Sequence, residues 1–138
     1  MAIKFFKFKR LVNINGTSVV KYIPKIQEEV RVGIEELAEI IERKSSFSRG
    51  DILGLFAEME TTALWMLENG HPVTLRLFGS YFPAIEAMAV DTPEEVTPKT
   101  IKRFKCIFKP SVYMKKRFKN IEFVLGDNLV REVKYKKE

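Results

Sequence analysis

The stretch from Phe47 to Pro72 constrains this chain more than any other part of it. Ser48 is placed to cap a helix, Asp51 three residues on resembles a capping box, and Phe47 and Ile52 have the spacing of a hydrophobic staple. Ile52, Leu55, Phe56, Met59, Ala63, Met66 and Leu67 then hold one helical face, and Leu53, Leu64 and Trp65 carry apolar surface around the cylinder. Asn69-Gly70 and Pro72 end the helix. A helix apolar on more than one side needs more than one neighbour, and in a small domain a second subunit is a natural supplier. With 138 residues the chain is one domain, or one small domain with an appendage. A compact fold of this mass exposes roughly 7,400 Å² of the roughly 23,000 Å² of the open chain, so about two-thirds can be buried.

Charge is segregated along the chain. Residues 1–32 carry net +5, residues 33–72 net −5 and residues 73–138 net +6. Val96 to Ile121 contains no acid, yet it holds Lys99, Lys102, Arg103, Lys105, Lys109, Lys115, Lys116, Arg117 and Lys119. Nine cations in 26 residues without a counter-charge create a strong local positive potential, which either solvates a surface or meets a polyanion. Hydrophobic content of 46% excludes long disorder. No run approaches the ~20 apolar residues of a membrane span. Lys4, Lys7, Lys9 and Arg10 interrupt the N-terminal apolar residues, so no signal peptide is expected. The lone Cys106 excludes an internal disulfide and a cysteine-based zinc site, and a reducing cytoplasm is the expected compartment.

Around the central helix, residues 2–12 and 17–24 form a β-hairpin at Asn15-Gly16, with Pro24 ending the second strand. Glu28 to Gly33 is a connection. Ile34, Leu37, Ala38 and Ile41 mark an amphipathic helix, with Glu39 and Arg43 as an (i, i+4) pair. Val73, Leu75 and Leu77 begin a strand region in which Gly79 marks a bulge or a close backbone approach. Asp91 to Lys99 is an irregular turn or the tip of an extension. From Ile101 to Lys109, Phe104, Cys106 and Phe108 alternate inward and Arg103 and Lys105 outward. Ser111 caps a short basic helix with Met114, Phe118 and Ile121 inward. Phe123 to Leu125, a turn at Gly126 to Asn128, and Leu129 to Tyr135 read as a final hairpin.

Catalytic chemistry has no residues to use. His71 is the only histidine and lies at a helix end, Cys106 reads as a core filler, and Glu94-Glu95 sit among prolines in a loop. No nucleotide-binding or metalloprotease motif occurs. No enzyme activity, cofactor, metal or small-molecule substrate is expected. Phosphate binding, by contrast, needs only cations and backbone donors. A two-stranded ribbon fits a DNA groove, and aromatics between lysines can stack on single-stranded bases.

The order of elements resembles the HU/integration-host-factor family of bacterial histone-like DNA-binding proteins. The similarity runs without a gap from Gly33 to about Phe82. It is carried by Ser48 and Asp51, by Gly70, Val73 and Leu75, and by Leu77-Phe78-Gly79-Ser80-Tyr81 against the family's "G-F-G-T-F". Phe108-Lys109-Pro110-Ser111-Val112-Tyr113-Met114-Lys115 is similar to the family's C-terminal motif. Tyr22 to Ile26 and Val90 to Val96 look like a longer subgroup common in Bacteroidetes-type bacteria.

The resemblance implies an α+β fold: a two-helix body, an antiparallel sheet with an extended β-arm, and a short C-terminal helix, in an intertwined homodimer. It divides the chain into an N-terminal hairpin extension (1–32), an HU-like DNA-binding domain (33–121) and a C-terminal hairpin tail (122–138). Leu55, Phe56, Met59, Leu64 and Trp65 fall at the dimer interface. Arg49, Gly79, Lys109 and Lys115 match family positions near DNA. To these, charge adds Arg76, Lys99, Lys102, Arg103, Lys105, Lys116 and Lys119. The function implied is sequence-tolerant architectural binding of duplex DNA in the nucleoid, of the kind that can bend it, with no membrane partner. Pro93 and Pro98 occupy the arm-tip region, where the family's "R-N-P-x-T-G" is missing and Asp91, Glu94 and Glu95 stand instead. An acidic tip opens a second reading, a dimeric protein-interaction module on the same fold with weak or lost DNA binding.

Overall fold

The computed structural model describes residues 1–132, and the end of the expected final hairpin, residues 133–135, lies outside them. The fold is α+β. In chain order it contains β1 (Ala2–Ile14), β2 (Thr17–Ile26), α1 (Ile34–Arg43), α2 (Arg49–Glu68), β3 (Val73–Leu75), β4 (Gly79–Ala87), β5 (Ile101–Pro110), α3 (Val112–Phe118) and β6 (Glu122–Glu132). Two single-turn 3-10 helices, Pro93–Glu95 and Pro98–Thr100, lie between β4 and β5. The chain divides into two compact units, one made of Met1–Arg31 with the segment from Lys119 onward, the other of Val32–Phe118.

The first unit is a three-stranded sheet of order β2-β1-β6. Asn15 (φ 50°) and Gly16 (φ 81°) make the left-handed turn that matches strand twist, so β1 and β2 pair directly. Pro24 does not end β2. It pairs with Lys7 and the strand runs on to Ile26, because β2 is an edge strand whose outer side requires no N–H donor.

In the C-terminal segment no hairpin forms among the described residues, contrary to the expectation from Gly126 to Asn128. β6 is one strand, parallel to β1, with Ala2 opposite Glu122 at one end and Lys9 opposite Glu132 at the other. The Gly-Asp-Asn sequence read as a hairpin turn makes an irregularity within this strand instead. Asp127 Oδ1 accepts from Leu129 N (3.0 Å) and its Oδ2 from Arg131 (2.8 Å), so the turn chemistry is satisfied without reversing the chain.

In the second unit, α1 begins at Gly33, whose N–H donates to the Glu36 carboxylate (2.9 Å), and Arg43 pairs with Glu39. Ser48 caps α2 by accepting from Asp51 N (3.2 Å), and Ser48 Oγ donates to Asp51 Oδ2 (2.7 Å). The contact between the two helices supplies the buried residues Ala38 (0% exposed) and Ile52 (6%). Phe47, expected to staple onto Ile52, stays mostly exposed.

Three short strands complete this unit in the antiparallel order β3-β4-β5. The expected continuous strand from Val73 breaks at Arg76 to Phe78, a tight turn closed by Phe78 N to Leu75 O (3.1 Å). β4 and β5 pair from Gly79 opposite Pro110 to Ala87 opposite Ile101. Phe104, Cys106 and Phe108 do share one face with Tyr81, Pro83 and Ile85, but they are not core. Phe104 is 54% exposed and Cys106 is exposed too, because no described residue covers that face of the sheet, where Ile85 of the central strand β4 is equally exposed. Phe118, expected inward from α3, is likewise exposed, whereas Met114 is half-buried.

Gly79 is where these pieces meet. Its φ is +146°, and a Cβ there would lie 2.1 Å from Lys109 O and 2.9 Å from both Pro110 Cα and Ser111 N. Backbone cannot yield as a flexible side chain does, so only glycine permits this approach. Gly79→Ala should destabilise the fold by about 3 kcal/mol, read as a lowered midpoint in urea unfolding followed by circular dichroism. A midpoint unchanged from the parent would disprove the close approach.

Candidate nucleic-acid interface

The cations of the second half are laid out by β5 and α3. Strand alternation puts Arg103, Lys105 and Lys109 on one face with Ser80, Phe82, Ala84 and Glu86, while Lys102 falls at an irregularity of the ladder and has no partner on β4. From Lys102 to Lys109 the strand rises about 23 Å. Arg103 Nε donates to Glu86 Oε2 across the ladder (2.5 Å), so one of these charges is answered by the chain's own carboxylate. Lys102, Lys105 and Lys109 make no salt bridge among the described residues. Lys109 Nζ lies 5.2 Å from the centre of the Phe82 ring. Glu86 is a moderating residue that the sequence does not announce, because its effect depends on the register that sets it opposite Arg103.

A second group gathers at the Gly79 end of the ladder. Ser111 ties the turn carrying Arg76 to the start of α3. Its N–H donates to Phe78 O (2.8 Å), its hydroxyl donates to Leu77 O (2.6 Å), and the same oxygen accepts from Met114 N (3.0 Å). Arg76, Gly79, Lys109 and the α3 residues Lys115 and Lys116 are thereby held on adjoining segments. Lys119 falls in the first unit.

Other positions stand apart. Arg49 is the first residue of α2, and its backbone N–H donates to Glu42 Oε1 (3.2 Å), so a carboxylate already occupies that donor. Pro93 and Pro98 each open a 3-10 turn in the link between β4 and β5, and Lys99 follows Pro98. Met88 N to Thr100 O (2.8 Å) closes the link, and Thr92 Oγ1 donates to Glu95 Oε1 (3.0 Å). The acids Asp91, Glu94 and Glu95 are exposed there.

On α2, Leu55 is 68% and Trp65 61% exposed, Leu64 and Met59 are exposed, and Phe56 is half-buried. Leu55, Met59, Ala63 and Met66 line an open apolar trough of about 350 Å³ with Val73 and Leu75. No group of His, Cys, Asp or Glu among the described residues has the arrangement of a metal site, and no helix there is long and apolar enough to cross a membrane.

A family model described as HU-HIG, an HU domain fused to wHTH, Ig, or Glycine-rich motif, matches residues 1–135. The chain belongs to the HU-HIG family. Among solved structures, this HU-HIG chain is similar to a "putative bacterial DNA binding protein" from Bacteroides vulgatus, with TM-score 0.57 and 14% sequence identity over 98% of its own length. At that identity the similarity is one of fold. The HU-HIG chain spans about half of that protein, 52% of its length. No curated protein matches it.

Loss of the Ser111 hydroxyl leaves Met114 N without its cap and Leu77 O without its donor. Ser111→Ala should cost about 1–2 kcal/mol in urea unfolding. An unchanged midpoint would show that α3 and the Arg76 turn are held by other contacts.

Proposed function

We propose that this HU-HIG protein is a homodimeric, sequence-tolerant architectural DNA-binding protein acting in the nucleoid. The observation that carries this reading is the acid-free run Val96 to Ile121, in which Lys102, Lys105 and Lys109 project from an exposed edge strand without carboxylate partners among the described residues. Phosphate contacts need that kind of row and little else, and they supply affinity without reading bases. Membership of a family built on an HU domain supports the same reading. Arg76, Gly79, Lys115 and Lys116 extend the row at the Gly79 end, Arg103 belongs to β5 itself, and Lys99 extends the row into the link, while Arg49 and, in the first unit, Lys119 are proposed as separate phosphate contacts. Bending of the duplex belongs to the proposal too, with Pro93 and Pro98 at the arm tip beside the exposed acids Asp91, Glu94 and Glu95.

Dimerisation is supported by the apolar surface that α2 leaves open. Leu55, Phe56, Met59, Leu64 and Trp65 are large side chains on one short body, and a second copy would cover them and fill the trough. Leu55→Glu sets a charge in that surface and should convert a dimer into a monomer, measured by light scattering after size exclusion. A parent protein that is monomeric at micromolar concentration would refute the dimer.

DNA binding is tested by fluorescence anisotropy on a random-sequence duplex over a range of salt. Six phosphate contacts give a log–log slope of roughly −5, and replacing Lys102, Arg103 and Lys105 together by Ala should reduce its magnitude by roughly 2, since Glu86 already answers Arg103. An unchanged slope moves the interface off β5. The exposed acids Asp91, Glu94 and Glu95 of the link favour a second reading, a dimeric protein-interaction module, for which the parent would bind no duplex even at low salt.

A further inference from the structure

The first unit carries a basic surface of its own. Alternation along the paired strands puts Lys4, Phe6, Phe8 and Arg10 of β1 on one face of the sheet with Lys21, Ile23 and Lys25 of β2 and Arg131 of β6. Phe5, Lys7, Lys9 and Leu11 point to the other face, with Tyr22, Pro24, Ile26 and Phe123. The first face thus gathers five cations, of which Arg131 is paired with Asp127 (2.8 Å), and the only acid paired in register on that face among the described residues is Glu122, at the far end opposite Ala2.

Two features separate this face from a merely solvated one. Arg10 stands directly opposite Lys21, a like-charge cross-strand pair of the kind that destabilises a sheet unless something negative lies over it. Lys4, Arg10, Lys21 and Lys25 make no salt bridge among the described residues. In addition, two cations are held on aromatic rings. Lys25 Nζ is 3.8 Å from the centre of the Phe8 ring, and the Arg131 guanidinium is 4.5 Å from that of Phe6, with Asp127 also accepting from Arg131. The rings fix these side chains over the sheet, so ordering them on a ligand costs little further entropy. By contrast, Lys9 on the opposite face is already paired with Glu132 (3.6 Å).

We propose that this face of the β2-β1-β6 sheet is a second contact surface for the phosphodiester backbone of nucleic acid, separate from the β5 row. Rows of cations on adjacent strands, close together and rigidly spaced, suit a polymer of repeating negative charge better than a single small anion. Identifying the polyanion as nucleic acid rests on the DNA-binding reading given above. The surface itself rests on strand register, the two cation–ring contacts and the charges of Lys4, Arg10, Lys21 and Lys25, which no carboxylate answers among the described residues.

The test uses the full chain and anisotropy titrations over a range of salt, with a long random-sequence duplex and an oligo-dT of equal length as probes. Two variants of equal charge loss are compared: Arg10→Gln with Lys21→Gln on the proposed face, and Lys7→Gln with Lys9→Gln on the opposite one. The first should reduce the magnitude of the slope by roughly 2, while the second should leave it near the parent's value. The arm that shows the larger loss, duplex or oligo-dT, identifies the form of nucleic acid bound. Equal losses from both variants, or none from the first, would overturn the proposal while leaving the β5 interface standing. A parent that binds neither probe at low salt would instead remove the DNA-binding reading and this proposal with it.

Folding is controlled by Lys21→Glu, which sets a carboxylate opposite Arg10. It should raise the melting temperature and weaken binding at once. A lowered melting temperature, or affinity equal to the parent's, would count against an anion-binding role for the pair.

Discussion

The second unit depends on one close approach of backbone to backbone. At Gly79, β4 lies so near Lys109 O, Pro110 and Ser111 that a single added carbon would collide with main-chain atoms. The ladder of β4 and β5 starts at that point, and α3 begins just beyond it. Ser111 completes the junction by bonding to Phe78 and Leu77 on one side and to Met114 on the other. The rigid spacing of the cations on β5, and their continuation into α3, depends on this junction.

The second constraint is a shortage of covering surface. α1 and α2 bury Ala38 and Ile52 between them, yet large apolar side chains on α2 remain outside, and β5 keeps Phe104 and Phe108 exposed. Burying an apolar side chain is worth roughly 1.5–3 kcal/mol, so leaving so many in water is a strong drive toward association. The uncovered helix α2 supports the proposed self-association, and the uncovered sheet leaves the lysines of β5 accessible to a polyanion.

Much of the fold was legible from local pattern. Asn15-Gly16 specified the first turn, Ser48 with Asp51 the start of α2, and Ser111 the start of α3, because caps and left-handed turns act within three or four residues. The glycine at 79 was readable as a tight approach, although not which strand it approached. The inward face of β5 was misjudged for a different reason. Alternation says which residues share a face, and Phe104, Cys106 and Phe108 do, but it does not say whether anything lies against that face. Pro24 misled in the same way, since a proline ends an inner strand but is tolerated at an edge.

The residues by themselves determined the helices, the turns and the segregation of charge, since all three depend on neighbours a few positions apart. The turn at Asn15-Gly16 also fixes the register that sets Arg10 opposite Lys21, but only the tertiary structure decided that β6 joins β1 in parallel and that Glu86 answers Arg103. Pairing between segments at opposite ends of a chain leaves no periodic trace in either one. A charge becomes a site, or is cancelled, only once register has fixed what stands opposite it.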